Sequence, residues 1–137
     1  MNGKAIILPD RAPALAHYPH ARKIGDRIYV SGISSRKLDG TWEGVETLSD
    51  GSFKLDIKAQ TRAVIENIKI ILEAAGSSLS NLIDVTVFLV DMKDYQAMNQ
   101  VYNEYFDAET GPSRTTVAVK ELPNPRLLIE IKSIAAV

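Results

Sequence analysis

Pro112-Ser113-Arg114-Thr115-Thr116-Val117-Ala118-Val119 is followed a few residues later by Leu127-Leu128-Ile129-Glu130-Ile131. Both are short apolar, β-branched runs set off by proline and turn residues, and both read as strands. Side chains alternate between the faces of a strand. Thr115, Val117 and Val119 therefore share one face, and Arg114, Thr116 and Ala118 the other. In the second run Leu127, Ile129 and Ile131 face one way, with Leu128, Glu130 and Lys132 opposed to them. If the two strands are neighbours, an arginine and a glutamate project from one face of a sheet. An arginine fork grips a carboxylate, and a nearby glutamate takes or gives a proton. A charge on an alternating strand is most often the wet side of a half-buried sheet. Here the charged face carries Thr116, Ala118 and Leu128 rather than Lys, Glu and Gln, which reads as a partly covered surface.

Working outward, the spacing predicts a helix over about Ile57 to Ala75. Ile57, Thr61, Val64, Ile65, Ile68, Leu72 and Ala75 fall on one face, between an Asp56 N-cap and a Gly76 stop. Leu82 to Val90 reads as a buried strand. Met92 to Phe106 returns to helical spacing through Tyr95, Met98, Tyr102, Tyr105 and Phe106. Toward the N-terminus, Lys4 to Leu8 is a short strand stopped by Pro9, and Asp10 to His20 is a proline-containing loop. Arg27 to Ser31 is a strand entered from a Gly25-Asp26 turn, and Gly32 ends or bulges it. Residues 34 to 52 read as a long loop or irregular hairpin. The resulting order, β-β-α-β-α-β-β, predicts one α+β domain over residues 1–137, a mixed sheet with both helices on one face. The other face is left open. An open, partly apolar sheet face is expected to bury itself against another copy of the chain, which places any site built there between subunits.

The 137 residues carry a formal net charge of −1 and no cysteine. No strong field draws in nucleic acid or an anionic membrane, and thiolate nucleophiles, disulfides and zinc–thiolate sites are excluded. No stretch approaches the roughly 20 apolar residues of a membrane helix, and the N-terminal apolar run is too short for a signal peptide. The expectation is a soluble cytoplasmic protein. His17 and His20 lack the further ligands of a metal site. Ser31 lacks a nucleophile-elbow pattern, and the glycines are too scattered for a phosphate loop.

Four stretches resemble the Rid family, also called YjgF: Tyr18-Pro19-His20-Ala21, Ile28-Tyr29-Val30-Ser31-Gly32, Asp94 to Tyr102, and Pro112-Ser113-Arg114 with Ile129-Glu130-Ile131. The resemblance covers nearly the whole chain. It implies a chorismate-mutase-like fold, a homotrimer with sites between subunits, and binding or hydrolysis of enamines and imines without metal or organic cofactor. It casts Arg114 as the grip on a substrate carboxylate and Glu130 as the group that positions or activates water. Tyr18, Ser31, Gly32 and Asn99 line or support the pocket. The chain departs from the family at Pro19-His20, where serine and glutamine are usual, and at Thr116, where many members carry cysteine. Residues 53–68, 114–119 and 127–132, with Tyr18-Pro19-His20, resemble the 2-aminomuconate deaminases of aromatic-compound degradation.

That substrate class brings a second carboxylate, for which Arg22, Arg36, Lys120 and Arg126 are the candidate cations. His20 is read either as a donor or acid in the site or as a loop residue without chemical role. Tyr95, Tyr102 and Tyr105 are read as helix packing. Three other readings stand beside the specific one. They are a general deaminase for the enamines and imines made by amino-acid dehydratases, a non-enzymatic binder of small carboxylates, and RNA cleavage. The absence of a basic stripe argues against the last.

Overall fold

The computed structural model describes residues 1–137. A six-stranded sheet runs in the order β1 (Lys4–Ile6), β2 (Ala21–Ile24), β3 (Arg27–Ile33), β8 (Ile129–Ala136), β6 (Leu82–Leu89), β7 (Ser113–Ala118). Only the β6–β7 pair is parallel. A separate hairpin pairs β4 (Val45–Thr47), inside the 34–52 stretch read as loop or irregular hairpin, with β5 (Phe53–Leu55), just past its end. Helices α1 (Ile57–Ala74) and α2 (Tyr95–Tyr105) supply the second layer, α2 following a 3-10 turn over Met92–Asp94.

The capping chemistry of α1 explains its limits. The Asp56 carboxylate accepts from the Ala59 N–H at 3.1 Å, a cap that contributes about 1 kcal/mol. At the other end Gly76 adopts φ +85°. The N–H groups of Gly76 and Ser77 turn back onto the carbonyls of Glu73 and Leu72, which closes the last turn. Between these ends Val64, Ile65, Ile68, Ile71 and Leu72 are buried against Val85, Val87 and Leu89 of β6 and Ile129 and Ile131 of β8. Each such side chain contributes roughly 1.5–3 kcal/mol on burial.

Register decides where the charged residues point. Arg114 pairs with Val85 and Thr116 with Val87. Val85 and Val87 are buried on the helix side, so Arg114 and Thr116 lie on that side as well. Glu130 pairs with Phe88, and Phe88 with Val117. These residues, with Lys132, Ile134 and Tyr29, form the face that no helix covers. Arg114 and Glu130 thus project from opposite faces, with β6 between their strands. The expectation that they share one face of neighbouring strands is corrected here. Alternation within each run is as expected, but an intervening strand, distant in sequence from both, sets their relationship.

Candidate active site

Two groups of side chains carry the chemistry, one on each side of the sheet. The first surrounds Glu130. Between the Val30–Ser133 and Ile33–Ile131 pairs, β3 has two residues where β8 has one, so Ser31-Gly32 form a bulge opposite Lys132. Bulges re-aim side chains beside functional sites. The Ser31 hydroxyl donates to the Pro19 carbonyl at 2.8 Å, and the Ser31 N–H donates to the His20 carbonyl. This ties the Tyr18–His20 segment to the bulge. A β-carbon on Gly32 would lie 2.6 Å from Glu130 Oε2, so glycine is what lets the carboxylate lie over this strand. Burial pushes the Glu130 carboxyl above the usual carboxylate range, with no cation or hydrogen bond to offset it.

Glu130, Tyr18, Ser31 and Gly32 line a cavity of about 310 Å³, which continues past Arg36, Trp42 and Asn67. Tyr18 is 53% exposed. His20 also lines the cavity, but both ring nitrogens are engaged: Nδ1 accepts from the Leu8 N–H at 3.1 Å and Nε2 donates to the Ala12 carbonyl at 2.8 Å. The expectation that His20 contacts substrate is corrected: it is buried and pins the N-terminal loop, and neither nitrogen is free for a ligand.

The second group surrounds Arg114. Its guanidinium lies 4.6 Å from the centre of the Tyr102 ring and 5.8 Å from that of Tyr95, and Nη2 donates to the Tyr95 hydroxyl at 3.3 Å. No carboxylate neutralises it. Asn99 Oδ1, Thr116 Oγ1 and the Tyr102 hydroxyl are all buried without a hydrogen-bond partner. Orphaned buried polar atoms are costly, and three on α2 and β7 beside an unpaired arginine mark a half-built binding surface. Tyr95 and Tyr102, expected only to pack the helix, also hold the arginine by cation–π contact. Helical periodicity alone gives no sign of that second role.

A further positioning residue carried no sequence signal. The buried Gln60 amide accepts from the Leu128 N–H at 2.9 Å and donates to the Arg126 carbonyl at 2.8 Å, anchoring the segment that leads into Glu130. Gly44, at φ +72°, lies against the Gln60 stem where a β-carbon would come within 2.6 Å.

The endoribonuclease L-PSP family model matches residues 9–137. The 3-aminoacrylate deaminase RutC of Acinetobacter baylyi is 46% identical over 98% of both chains. The crystal structure of the Rid-family protein YyfA from Yersinia pestis superposes with a TM-score of 0.83 at 30% identity, covering 98% of each chain. E. coli TdcF with bound serine gives 0.78 at 32% identity, over 98% of this chain and 99% of that one. The bulge at Ser31-Gly32, the glutamate laid over it and the arginine held by two tyrosines are thus set in a chain that belongs to the endoribonuclease L-PSP family, the Rid (YjgF) family.

Proposed function

We propose that this protein is an enamine/imine deaminase whose active site forms where the Arg114 surface of one copy meets the Glu130 cavity of another. The observation that carries the reading is the separation of the two groups onto opposite faces of the sheet, each incomplete by itself. A contact between unlike surfaces of identical chains propagates around a ring. The uncovered face of Tyr29, Phe88, Val117 and Ile134 is the surface such a ring would bury, and the family resemblance implies a ring of three, a homotrimer. The name of the RutC relative supports the coarse reaction, and the serine bound to TdcF supports a small carboxylate ligand.

The chemistry follows from the groups. Arg114 takes the substrate carboxylate through a bidentate pair. Protonation of the enamine at carbon gives the iminium (the protonated imine), electrophilic at the carbon bearing nitrogen. Glu130 holds a water and accepts its proton as the oxygen bonds to that carbon. The same carboxyl returns that proton to nitrogen and then takes the hydroxyl proton as the C–N bond breaks, so that ammonia leaves behind a carbonyl. Asn99, Thr116 and the backbone at Ser31-Gly32 orient the ligand. The substrate of the specific reading is 2-aminomuconate; the alternative is the 2-imino acids of the general deaminases.

The test is ammonia release from 2-aminomuconate generated in situ, with 2-iminopropionate run alongside. Fast turnover of 2-aminomuconate alone supports the specific reading. Preference for 2-iminopropionate moves the protein to the general deaminases, and no turnover of either leaves a carboxylate-binding protein. The shared site has its own test. Arg114→Met and Glu130→Gln chains, each strongly impaired alone at substrate concentrations below the KM of the arginine variant, should regain activity when co-refolded, because about a quarter of the interfaces then pair an intact arginine with an intact glutamate. No recovery in verified mixed oligomers excludes the shared site.

Gly32→Ala probes the seat of the carboxylate. The alanine methyl meets only the mobile end of Glu130 and its backbone is unstrained, so the melting temperature should stay near wild type. Turnover should fall about tenfold or more, as the carboxylate shifts away from the reacting carbon. Unchanged turnover would show that this close approach is not used.

A further inference from the structure

The wall of the cavity that Glu130 lines also holds a cation with no assigned role. Resting on the deaminase reading above, we propose that Arg36 is a specificity-determining residue that binds a second carboxylate, so that the preferred substrates are dicarboxylic enamines or imines.

Four cations were candidates from the sequence, and their surroundings separate them. Arg22 is spent on Asn2 and Gly3 at the β1 edge of the sheet. Arg126 lies 4.8 Å from the Trp42 ring centre and 4.2 Å from that of Phe53 and does not line the cavity. Lys120 is exposed just past β7, also away from it. Arg36 alone of the four lines the cavity that contains Glu130. The other ionisable side chains there are Arg11, Tyr18, His20 and Lys37. Lys37 is paired with Glu43 at 3.5 Å, and His20 is committed to backbone. Glu130 is the only carboxylate of the lining, and no acid neutralises Arg36 or Arg11. The cavity therefore has an excess of positive charge for an anion to balance.

Arg36 is also preorganised, which Arg11 is not. Its Nη1 donates to the Pro13 carbonyl at 2.7 Å. Its backbone pairs with Trp42, and the Asn67 amide of α1 reaches the carbonyls of Ser34 and Arg36. The Arg11 side chain bonds only the carbonyl of the residue before it. A guanidinium offers five N–H donors; with Nη1 on Pro13, the rest of the fork is free for a carboxylate at little further entropic cost. A substrate gripped at one end by Arg114 of a second copy, with its reacting carbon at Glu130, directs its other end along the cavity toward Arg36.

Two stable ligands that differ in one carboxylate test this by calorimetry: cis,cis-muconate and the monocarboxylate sorbate. Wild type should bind muconate about tenfold or more tighter. Arg36→Gln should weaken muconate to the level of sorbate and leave sorbate unchanged, with Arg36→Lys in between. Lack of a muconate preference in wild type overturns the proposal whether or not the variants fold. So does a preference that survives in Arg36→Gln, or an equal loss for both ligands, which would make Arg36 only a strap for the Pro13 loop. The two readings fail separately. Absent ammonia release with an Arg36-dependent muconate preference overturns the deaminase reading alone. Turnover of 2-iminopropionate with no muconate preference overturns only the role of Arg36.

Discussion

Glu130→Gln should lower turnover by about 10²–10⁴-fold while leaving carboxylate binding within a fewfold of wild type. The glutamine keeps the shape of the side chain and its place over Gly32 but can neither accept nor return a proton. The pH profile separates this from a packing effect. Water activation needs the ionised carboxylate, so activity is lost as pH falls through the Glu130 pKa. Burial raises that pKa, so the acid limb should lie above the roughly 4.3 of an ordinary glutamate and should vanish from the residual activity of the variant. Stability moves the other way. A carboxyl with a raised pKa in the folded state binds its proton more tightly there than in the unfolded chain. It therefore costs stability as pH rises from the unfolded value through the folded one. Glutamine removes that cost, and the melting temperature at neutral pH should equal or exceed wild type. Full activity in Glu130→Gln would remove Glu130 from the mechanism, and a lower melting temperature would contradict its account as an unpaired buried acid.

Arg114→Met should reduce kcat/KM by about 100-fold or more, chiefly through KM, because two charge-assisted bonds to the substrate carboxylate are lost together. Arg114→Lys should recover little. An ammonium is a point charge without the fork, and its fit between the Tyr95 and Tyr102 rings is poorer than that of a planar guanidinium. Competitive inhibition by small carboxylates such as acetate or serine should be present in wild type and disappear in Arg114→Met. An Arg114→Lys variant with wild-type KM would show that charge alone suffices and that the bidentate geometry is not used.

Much of this was legible in the chain because it depends on local periodicity. The α1 limits follow from Asp56 and Gly76, whose capping groups act within one turn of the helix. The alternation of Arg114 with Val117, and of Glu130 with Ile131, follows from the strand repeat. The family resemblance then named Arg114, Glu130, Tyr18, Ser31, Gly32 and Asn99 through motifs present in the sequence. His20 was left open because a histidine in a proline-containing loop has no periodic signature. Its two backbone partners, Leu8 and Ala12, are set only when that loop folds over β2 and β3. Gln60 was invisible for a similar reason: its partners lie 66 and 68 residues away.

By itself the sequence determined both helices, most strands of the main sheet, though not β2, and the charges they carry, since propensity, capping and alternation act over a few residues. Only the tertiary structure decided that β6 separates the two charged strands, that its parallel register with β7 turns Arg114 toward α2, and that Glu130 faces the uncovered side. Of the four candidate cations, it placed only Arg36 in the wall of the Glu130 cavity. Strand neighbours, register and cavity walls are set by contacts between residues far apart in the chain, and those contacts exist only once the core around Val85, Val87, Ile129 and Ile131 has closed.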